Sequence, residues 1–281
     1  MLTEIWKRFL NQPTYDKVFY VPFWDCPYQC DFCCVDSLPG KPPIFPDDGE
    51  DLLFEVIEKL HQRFGKKIEL HLYGGEPMMR KRYVEHLAKK VLEKSHISKL
   101  ILYTTLLSNS PKGVYDILGK ERLHIIYNPA TINEKVKQRA EEFKDVASTY
   151  KNQVFFPTGR GAVGMEGNQA NFWQNILPIG FPARSCFANS SGMLINGPQH
   201  TVHLCCLPQS PIIGTFHDKA IKLVEVYEKA LSYMPQEINA EARRKKCVHP
   251  CQVCNSKTGY KSQAGAGCND FTLEVWKQKS L

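Results

Sequence analysis

Short apolar segments alternate with longer amphipathic segments along the first half of the chain. The apolar segments have the length and composition of buried strands, and the amphipathic ones carry apolar residues at the spacing of one helix face. The predicted strands are residues 18–22, 68–73, 100–104, 124–127 and 154–156. The predicted helices are residues 49–64, 80–94, 112–118, 133–144 and 169–176. This alternation predicts an α/β fold, a parallel sheet with outer helices that makes up most of a barrel.

The pattern changes after Arg184. Residues 192–197 and 202–206 are typical of a β-hairpin, and residues 218–233 have the periodicity of a helix. We therefore divide the chain into two predicted domains, residues 1–184 and residues 185–281.

The composition is that of an ordinary globular protein, with 281 residues, 43% hydrophobic and 23% charged, enough for one or two folded domains. No apolar run reaches the ~18 residues that cross a bilayer, so we expect no membrane association. Eleven cysteines in two groups, without a signal peptide, predict a cytoplasmic protein that uses cysteine for metal binding rather than disulfides.

The net charge of +7 comes from dispersed basic runs. Such runs favour solvated surfaces over a nucleic-acid-binding surface. Positive charge of this kind would also suit binding of an electron donor such as flavodoxin.

Three closely spaced cysteines follow the first predicted strand. Cys26, Cys30 and Cys33 have the spacing CxxxCxxC. Iron–sulfur clusters normally take four thiolates, so three of them leave one iron open to bind another molecule. Structural zinc is the alternative interpretation, but such sites usually take four ligands from two paired knuckles. No cysteine follows Cys34 until Cys186.

A glycine pair and a carboxylate end the second predicted strand, in the run Gly74-Gly75-Glu76-Pro77. This composition fits a junction between a strand and a loop, and glycine lets the backbone approach a ligand closely. Ligands of α/β barrels bind at the carboxyl ends of the strands. The glycine loop and the three cysteines are therefore predicted to share one rim of the barrel.

These two motifs resemble the radical S-adenosylmethionine (radical SAM) superfamily, including the aromatic Phe32 before the last cysteine. The resemblance implies a partial (β/α)6 TIM-like barrel and a 4Fe–4S cluster on the three cysteines, whose open iron binds the amino and carboxylate groups of S-adenosylmethionine. Reductive cleavage of this cofactor gives a 5'-deoxyadenosyl radical that abstracts a substrate hydrogen.

The resemblance also implies which residues surround the cofactor. They are Phe32, Gly74, Gly75, Glu76, Pro77, Ser108, Asn109 and Arg160. Glu76 would accept a hydrogen bond from the cofactor's ammonium group, Ser108 or Asn109 would lie near its ribose, and Arg160 near its carboxylate. Ordinary loop capping is the alternative role for Ser108, Asn109 and Arg160. His71 alternates with apolar residues and would face the barrel interior, where a satisfied core histidine fits as well as a catalytic one, so we leave it out of the predicted site.

The second cysteine group resembles the C-terminal extensions called SPASM and, in its shortened form, Twitch, which hold auxiliary clusters. The matching residues are Cys186, Cys205 or its neighbour Cys206, Cys251 and Cys254. They imply one auxiliary 4Fe–4S cluster rather than two. A zinc site is the alternative, with Cys247, Cys251, Cys254 and either His249 or Cys268 as ligands.

An auxiliary cluster beyond the substrate would accept an electron from the substrate radical, which gives dehydrogenation or a crosslink. Relatives with Twitch extensions oxidise an alcohol in aminocyclitol antibiotic assembly and relatives with SPASM extensions modify peptides, so a small natural product and a peptide both stay open. Only seventeen residues precede the first predicted strand, from which we expect no leader-peptide-binding domain.

Two other functions stay open. In an epimerase, a thiol such as that of Cys206 would return a hydrogen atom to the substrate. Neighbours in a strand face opposite ways, so only one of Cys205 and Cys206 would point at the cluster. Cys34 and Cys268 are other candidate donors, and a buried cysteine that packs as a small apolar side chain is the alternative role. An iron–sulfur or zinc scaffold or electron carrier is the non-enzyme alternative. It does not explain the Gly74–Pro77 loop, since an electron carrier needs no amino-acid pocket.

Overall fold

The computed structural model describes residues 13–28, 47–127, 133–149, 186, 188–208, 210–245, 251 and 253–254. Several of the sequence-based predictions lie outside these residues. They are strand 154–156, helix 169–176 and the side chains of Cys30, Phe32, Cys33, Arg160, Cys247, His249 and Cys268.

The described strands and helices alternate through the first half of the chain. The strands are β1 (Lys17–Val21), β2 (Ile68–Leu72), β3 (Ile97–Thr104), β4 (Leu123–Tyr127), β5 (Ala147–Thr149), β6 (Met193–Asn196), β7 (Thr201–His203) and β8 (Ile212–Thr215). The helices are α1 (Asp47–Phe64), α2 (Lys81–Glu93), α3 (Lys112–Arg122), α4 (Glu134–Glu142), α5 (Ala188–Ser191) and α6 (Ala220–Arg244). Short 3-10 turns lie at Pro77–Arg80 and Gly197–Gln199.

The eight described strands belong to one sheet with the order β5-β4-β3-β2-β1-β6-β7-β8. Strands β1 to β6 pair in parallel, and β7 and β8 are antiparallel additions at one edge. The predicted α/β class and parallel sheet are confirmed, and this open sheet agrees with a partial barrel. The boundary at residue 184 and the auxiliary-cluster extension stay predictions.

One face of the sheet packs against helices α1 and α2. The fully buried side chains on this side include Val18, Leu70, Leu72, Leu100 and Leu102 from the strands and Leu53, Ile57, Leu60, Leu87 and Val91 from the helices. The hydroxyl groups of Tyr20 and Tyr83 lie 3.1 Å apart across this layer. Burial of these apolar surfaces positions the helices, because it removes them from water.

The opposite face carries aromatic and polar side chains. In the strand register Phe19 pairs with His71, His71 with Ile101, and Ile101 with His124. Successive side chains along a strand point to opposite faces, so these four residues form one row across the same face. The sheet therefore separates an apolar layer under the helices from a face that bears chemically reactive groups.

The predicted hairpin after Arg184 is confirmed, since β6 and β7 pair antiparallel. Its place in the sheet was not predicted: β6 pairs in parallel with β1. Helix α6 also extends to Arg244, beyond the predicted end at residue 233, and contains Pro235. Among the described helices, none combines the length and the apolar character that a membrane crossing requires.

Candidate functional site

The loop after β2 is hydrogen-bonded to the segment after β1. The N–H of Gly75 donates to the carbonyl oxygen of Phe23 at 3.0 Å, and the N–H of Glu76 donates to that of Asp25 at 3.1 Å. Cys26 is the next residue, and its side chain is buried. The structure therefore brings the first cysteine of the CxxxCxxC motif and the glycine loop together at one edge of the sheet.

Close backbone contact at this junction excludes side chains from both glycines. Gly74 has a φ of +128°, which side-chain-bearing residues rarely adopt. A Cβ atom on Gly75 would lie 1.9 Å from the carbonyl oxygen of Asp25. Pro77, the last residue of the motif, is buried at the start of the 3-10 turn. Glycine is thus required at both positions by the packing of the two loops.

The carboxylate of Glu76 is 1% exposed and accepts four hydrogen bonds. Its Oε1 accepts from the N–H of Met78 at 3.1 Å and from Oγ1 of Thr104 at 2.5 Å. Its Oε2 accepts from the N–H and the Oγ1 of Thr105, both at 2.7 Å. A carboxylate has about four acceptor positions, so these protein donors satisfy it. Glu76 therefore ties the loop after β2 to the loop after β3.

The loop after β3 contains a strained residue. Leu106 is fully buried with a φ of +60°, a conformation that costs about 1–2 kcal/mol for a residue with a side chain. Its N–H donates to Oγ1 of Thr104 at 3.2 Å. From α4, Nη1 of Arg139 donates to the carbonyl oxygens of Leu106 at 2.6 Å and Ser108 at 2.9 Å. These contacts hold the strained turn beside the glycine loop.

Ser108 and Asn109, the predicted ribose residues, lie in this same loop and differ in their contacts. The side-chain nitrogen of Asn109 donates to the carbonyl oxygen of Met78 at 2.7 Å and so helps to join the two loops. Oγ of Ser108 is buried and has no hydrogen-bond partner within the described ranges. A buried hydroxyl without a partner is costly. A polar group of a ligand would satisfy it, which fits the nucleoside that the radical SAM resemblance implies.

Tyr28 joins the cysteine segment to the loop after β3. Burial, followed by the negative charge of Glu76, raises the pKa of its phenol, and a hydrogen bond with Thr105 opposes the change. Sequence reasoning missed Tyr28, Thr105 and Arg139. No local signal distinguishes Arg139 from the other charged residues of α4, since its role depends on a loop far away in the chain.

The second cysteine group is drawn together in the structure. Cys186, Cys205, Cys206 and Cys251 are buried and Cys254 is partly exposed. Burial, with the neighbouring Cys205, raises the pKa of the Cys186 thiol to about 12. Burial raises the pKa of Cys251 well above its ordinary value, and the charges of Cys254, Cys205 and Cys186 raise it further. The four predicted ligands of the auxiliary cluster, Cys186, Cys205, Cys251 and Cys254, therefore lie close enough together for their charges to interact.

The donor set of this cysteine group fits a thiophilic metal group. Thiolates are the ligands of zinc and of iron–sulfur clusters, and bound metal stabilises the deprotonated sulfur that burial alone disfavours. Within the described part of the chain, no group of three histidine, cysteine or acidic side chains is arranged to hold a single metal ion.

The adjacent cysteines do not lie in a strand. Strand β7 ends at His203, and Cys205 and Cys206 follow in a bend. The pKa of Cys205 is lowered, chiefly by a hydrogen bond from the side chain of Cys206. The alternation of a strand therefore does not apply to this pair, and the expectation that only one of the two thiols points at a cluster stays a prediction.

One side chain connects the two cysteine regions. The hydroxyl of Tyr73 donates a hydrogen bond to the carbonyl oxygen of Cys206. Tyr73 is the residue before Gly74, at the end of β2. The bend that carries Cys205 and Cys206 therefore lies against the rim that holds the glycine loop.

Comparison with known proteins agrees with this arrangement. The profile of a family described as the Radical SAM superfamily matches residues 20–160. A search of curated protein sequences finds no match. The crystal structure of BtrN in complex with AdoMet and 2-DOIA is similar with a TM-score of 0.58 and 14% identity, over 84% of this chain and 93% of BtrN. The crystal structure of BtrN in an open conformation is similar with a TM-score of 0.52 and 13% identity, over 83% of this chain and 90% of BtrN. At such identities the likeness concerns the fold.

Proposed function

We propose, from the premise that this chain belongs to the radical SAM superfamily, that it dehydrogenates a hydroxyl-bearing small molecule. Membership confirms the family that the CxxxCxxC and Gly-Gly-Glu-Pro motifs predicted, and with it an enzyme of S-adenosylmethionine-dependent radical chemistry. When bound, S-adenosylmethionine and its 4Fe–4S cluster supply a 5'-deoxyadenosyl radical. The substrate, the net oxidation and the second cluster are proposed.

We assign the cluster to Cys26, Cys30 and Cys33 and the cofactor's polar groups to the neighbouring loops. The hydrogen bonds from Gly75 to Phe23 and from Glu76 to Asp25 support this assignment. All four acceptor positions of Glu76 are filled by protein donors. We therefore propose that Glu76 orients the glycine backbone, whereas the hydroxyl of Ser108, which has no hydrogen-bond partner among the described residues, contacts the cofactor. The role of Arg160 stays a prediction.

The hydrogen bond from Tyr73 to Cys206 is the observation that supports a net oxidation of the substrate. It joins the cofactor rim to the buried cysteines Cys186, Cys205 and Cys251. An electron acceptor on these cysteines and Cys254 would lie close to the space above the sheet. The fold likeness to BtrN, whose structure holds AdoMet and 2-DOIA, agrees with a small substrate, and a peptide is the second substrate class.

Epimerisation is the second candidate function, with the thiol of Cys206 as the hydrogen donor. It is favoured by the position of this cysteine, whose carbonyl oxygen accepts from Tyr73 at the end of β2. The thiol also interacts with Cys205. Under this proposal the substrate would be released with one inverted carbon and no change in oxidation state.

The test uses protein purified and reconstituted without oxygen. Iron and sulfide are counted, and 5'-deoxyadenosine is measured by mass spectrometry after reduction with dithionite and addition of S-adenosylmethionine. Joint replacement of Cys26, Cys30 and Cys33 by alanine should abolish 5'-deoxyadenosine formation while iron at the second group persists. Joint replacement of Cys251 and Cys254 should remove about one cluster's iron, four atoms, but spare cleavage without substrate. Cys34→Ala serves as the matched control and should change neither result.

The substrate experiment uses 2-DOIA deuterated on its ring carbons. Deuterium should appear in 5'-deoxyadenosine, and the product should have lost one ring deuterium and one hydroxyl hydrogen relative to the deuterated probe. Product of unchanged hydrogen count with one deuterium replaced by solvent hydrogen would favour epimerisation, and Cys206→Ala should then stop turnover. Wild-type protein that loads iron and sulfide but forms no 5'-deoxyadenosine would overturn the enzyme proposal in favour of a scaffold.

A further inference from the structure

Three residues on the reactive face of the sheet form a connected chain of polar groups. Nδ1 of His71 lies 3.0 Å from the hydroxyl oxygen of Tyr103. Its Nε2 lies 3.4 Å from Oε2 of Glu69, within ion-pair distance, but makes no hydrogen bond among the described residues. His71 is 7% exposed, so the carboxylate of Glu69 is a charged group close to a nitrogen that has little access to water.

The position of Glu69 fixes which ring nitrogen should carry the proton. A carboxylate beside Nε2 favours a proton on that nitrogen, which leaves Nδ1 as an acceptor. The hydroxyl of Tyr103 then donates to Nδ1 of His71. This order of hydroxyl, imidazole and carboxylate is the general arrangement in which a base activates a hydroxyl group.

The surroundings of His71 keep the imidazole neutral. Burial is the main cause of its lowered pKa, which Glu69 partly offsets, with smaller contributions from Lys17 and Asp16. The ring of Phe19 stacks on the imidazole, with centroids 4.2 Å apart. Among the described residues, the same face also carries the titratable groups of Tyr73, of Tyr103 and Lys99 in β3 and of His124 in β4. A neutral imidazole is the form that accepts a proton.

The hydroxyl of Tyr103 lies between the two cysteine regions. Strand register pairs Leu72 with Leu102, which places Tyr73 beside Tyr103, and their ring centroids are 6.1 Å apart. Tyr73 in turn contacts Cys206. Thr105, two residues after Tyr103, binds Glu76. A substrate held on this face, under the cofactor loops and beside the second cysteine group, would meet the Tyr103 hydroxyl.

We propose that Tyr103, supported by His71 and Glu69, accepts the proton of the substrate's hydroxyl group, a role that rests on the proposed dehydrogenation. The O–H bond of the substrate breaks and its electron pair stays on the substrate oxygen. The proton passes to the oxygen of Tyr103 as the phenolic proton moves to Nδ1 of His71, so charge and atoms balance without a further reactant. Tyr103 is then a catalytic residue, and His71 and Glu69 are positioning residues. Removal of this proton makes the carbon radical easier to oxidise, which links the trio to the electron transfer.

The first arm of the test needs no substrate and no cluster. Protein labelled with 15N in histidine is studied by NMR, and His71 is assigned with the His71→Gln variant. We expect the proton on Nε2, and a pKa below the ordinary value of about 6.5. Tyr103→Phe should shift the Nδ1 resonance, and Glu69→Gln should lower the pKa further because the carboxylate favours the protonated ring. Tyr20→Phe, on the opposite face, should change neither.

The second arm uses the reconstituted enzyme with ring-deuterated 2-DOIA. Tyr103→Phe should still transfer deuterium to 5'-deoxyadenosine but lower product formation by about a hundredfold, a usual contribution of general base catalysis. His71→Gln should lower product formation and remove its fall at pH values below about 6.5, whereas His124→Gln should leave that fall in place.

Two results would overturn the inference. One is a proton on Nδ1 of His71, because Tyr103 could then not pass its own proton to the ring. The other is a Tyr103→Phe enzyme that forms product at the wild-type rate. Failure of the wild type to cleave S-adenosylmethionine would instead count against the proposed function, and the NMR result would still decide the arrangement of the trio.

Discussion

Replacement of Glu76 by glutamine tests whether its carboxylate is committed to joining the two loops. Each carboxylate oxygen accepts from one backbone N–H and one hydroxyl group, from Met78 and Thr104 at Oε1 and from Thr105 at Oε2. Glutamine has one oxygen and one NH2 group. In either orientation its NH2 therefore faces a backbone N–H that cannot turn away, whereas the neighbouring hydroxyl can rotate and accept from it.

The expected cost follows from these contacts. The variant loses one hydrogen bond to a charged acceptor and leaves one buried N–H without a partner, each of which costs about 1.5–3 kcal/mol. Allowing for partial relaxation, we expect Glu76→Gln to lower the free energy of unfolding by about 3 kcal/mol.

Glu50→Gln is the matched control. Glu50 is also buried, but it is bound by side chains and not by backbone N–H groups: His86 at 3.1 Å, Lys90 at 2.5 Å and the hydroxyl of Tyr83. His86 and Lys90 can reorient toward water and the Tyr83 hydroxyl can donate to the glutamine oxygen, so this variant should cost about 1 kcal/mol or less.

The assay is urea unfolding of the metal-free, reduced proteins, followed by far-ultraviolet circular dichroism. Two results would refute the reasoning that this carboxylate is needed to satisfy the backbone donors. One is an equal loss in the free energy of unfolding for Glu76→Gln and Glu50→Gln, and the other is a loss below about 1 kcal/mol for Glu76→Gln. The slope of the transition must stay unchanged for the comparison to hold.

Three further predictions rest on other contacts. Gly75→Ala should separate the loops after β1 and β2 and lower the urea midpoint strongly, since the new Cβ would lie 1.9 Å from a carbonyl oxygen. Its control is Gly65→Ala, where φ is +67° and no atom lies within 4 Å of the new Cβ. That variant should lower the free energy of unfolding by about 1 kcal/mol. Arg122→Met should lower the free energy of unfolding by about 2 kcal/mol in the same urea assay, because Nη1 and Nη2 donate to four carbonyl oxygens at the end of α2 and the start of β3. Burial lowers the pKa of His71, so the imidazole binds a proton more tightly in the unfolded chain than in the folded protein. The free energy of unfolding should therefore fall as the pH drops below about 6.5. His71→Gln should reduce the difference between the urea midpoints measured at about pH 7.5 and about pH 5.5.

Most of the barrel's regular structure could be predicted because its local patterns are strong. Helix α1 presents Leu53, Val56, Ile57 and Leu60 at helical spacing, and all four are buried. Strand β5 was missed because it has only three half-buried residues, Ala147–Thr149, with no apolar run to mark them. Helix α6 was predicted too short because it contains Pro235, but its buried face continues through Ile238 and Ala242. Packing of that face outweighs the cost of one lost hydrogen bond.

The site was predictable in type but not in its internal contacts. The glycine loop has a recognisable local composition, and strand order brings it to the rim. The partners of Glu76 lie 28 and 29 residues further along the chain, a separation that no local pattern reveals. His71 could be placed on the inner face by alternation alone, but its link to Tyr103 depends on which strands pair. The cysteine pair was placed in the strand because the sequence does not locate the end of β7, which is His203, to within two residues.

The pairing of β6 with β1 limits how the chain can be divided by protein engineering. β1 leads into the segment that carries Cys26, and its residues Val18–Val21 pair with Met193–Asn196. A truncated chain that stops at residue 184 would expose the N–H and C=O groups of β1 along a new edge, and such edges promote association between molecules. A chimera that exchanges the C-terminal segment would have to preserve this register, because a shift of one residue would turn Leu194 and Asn196 to the other side of the sheet.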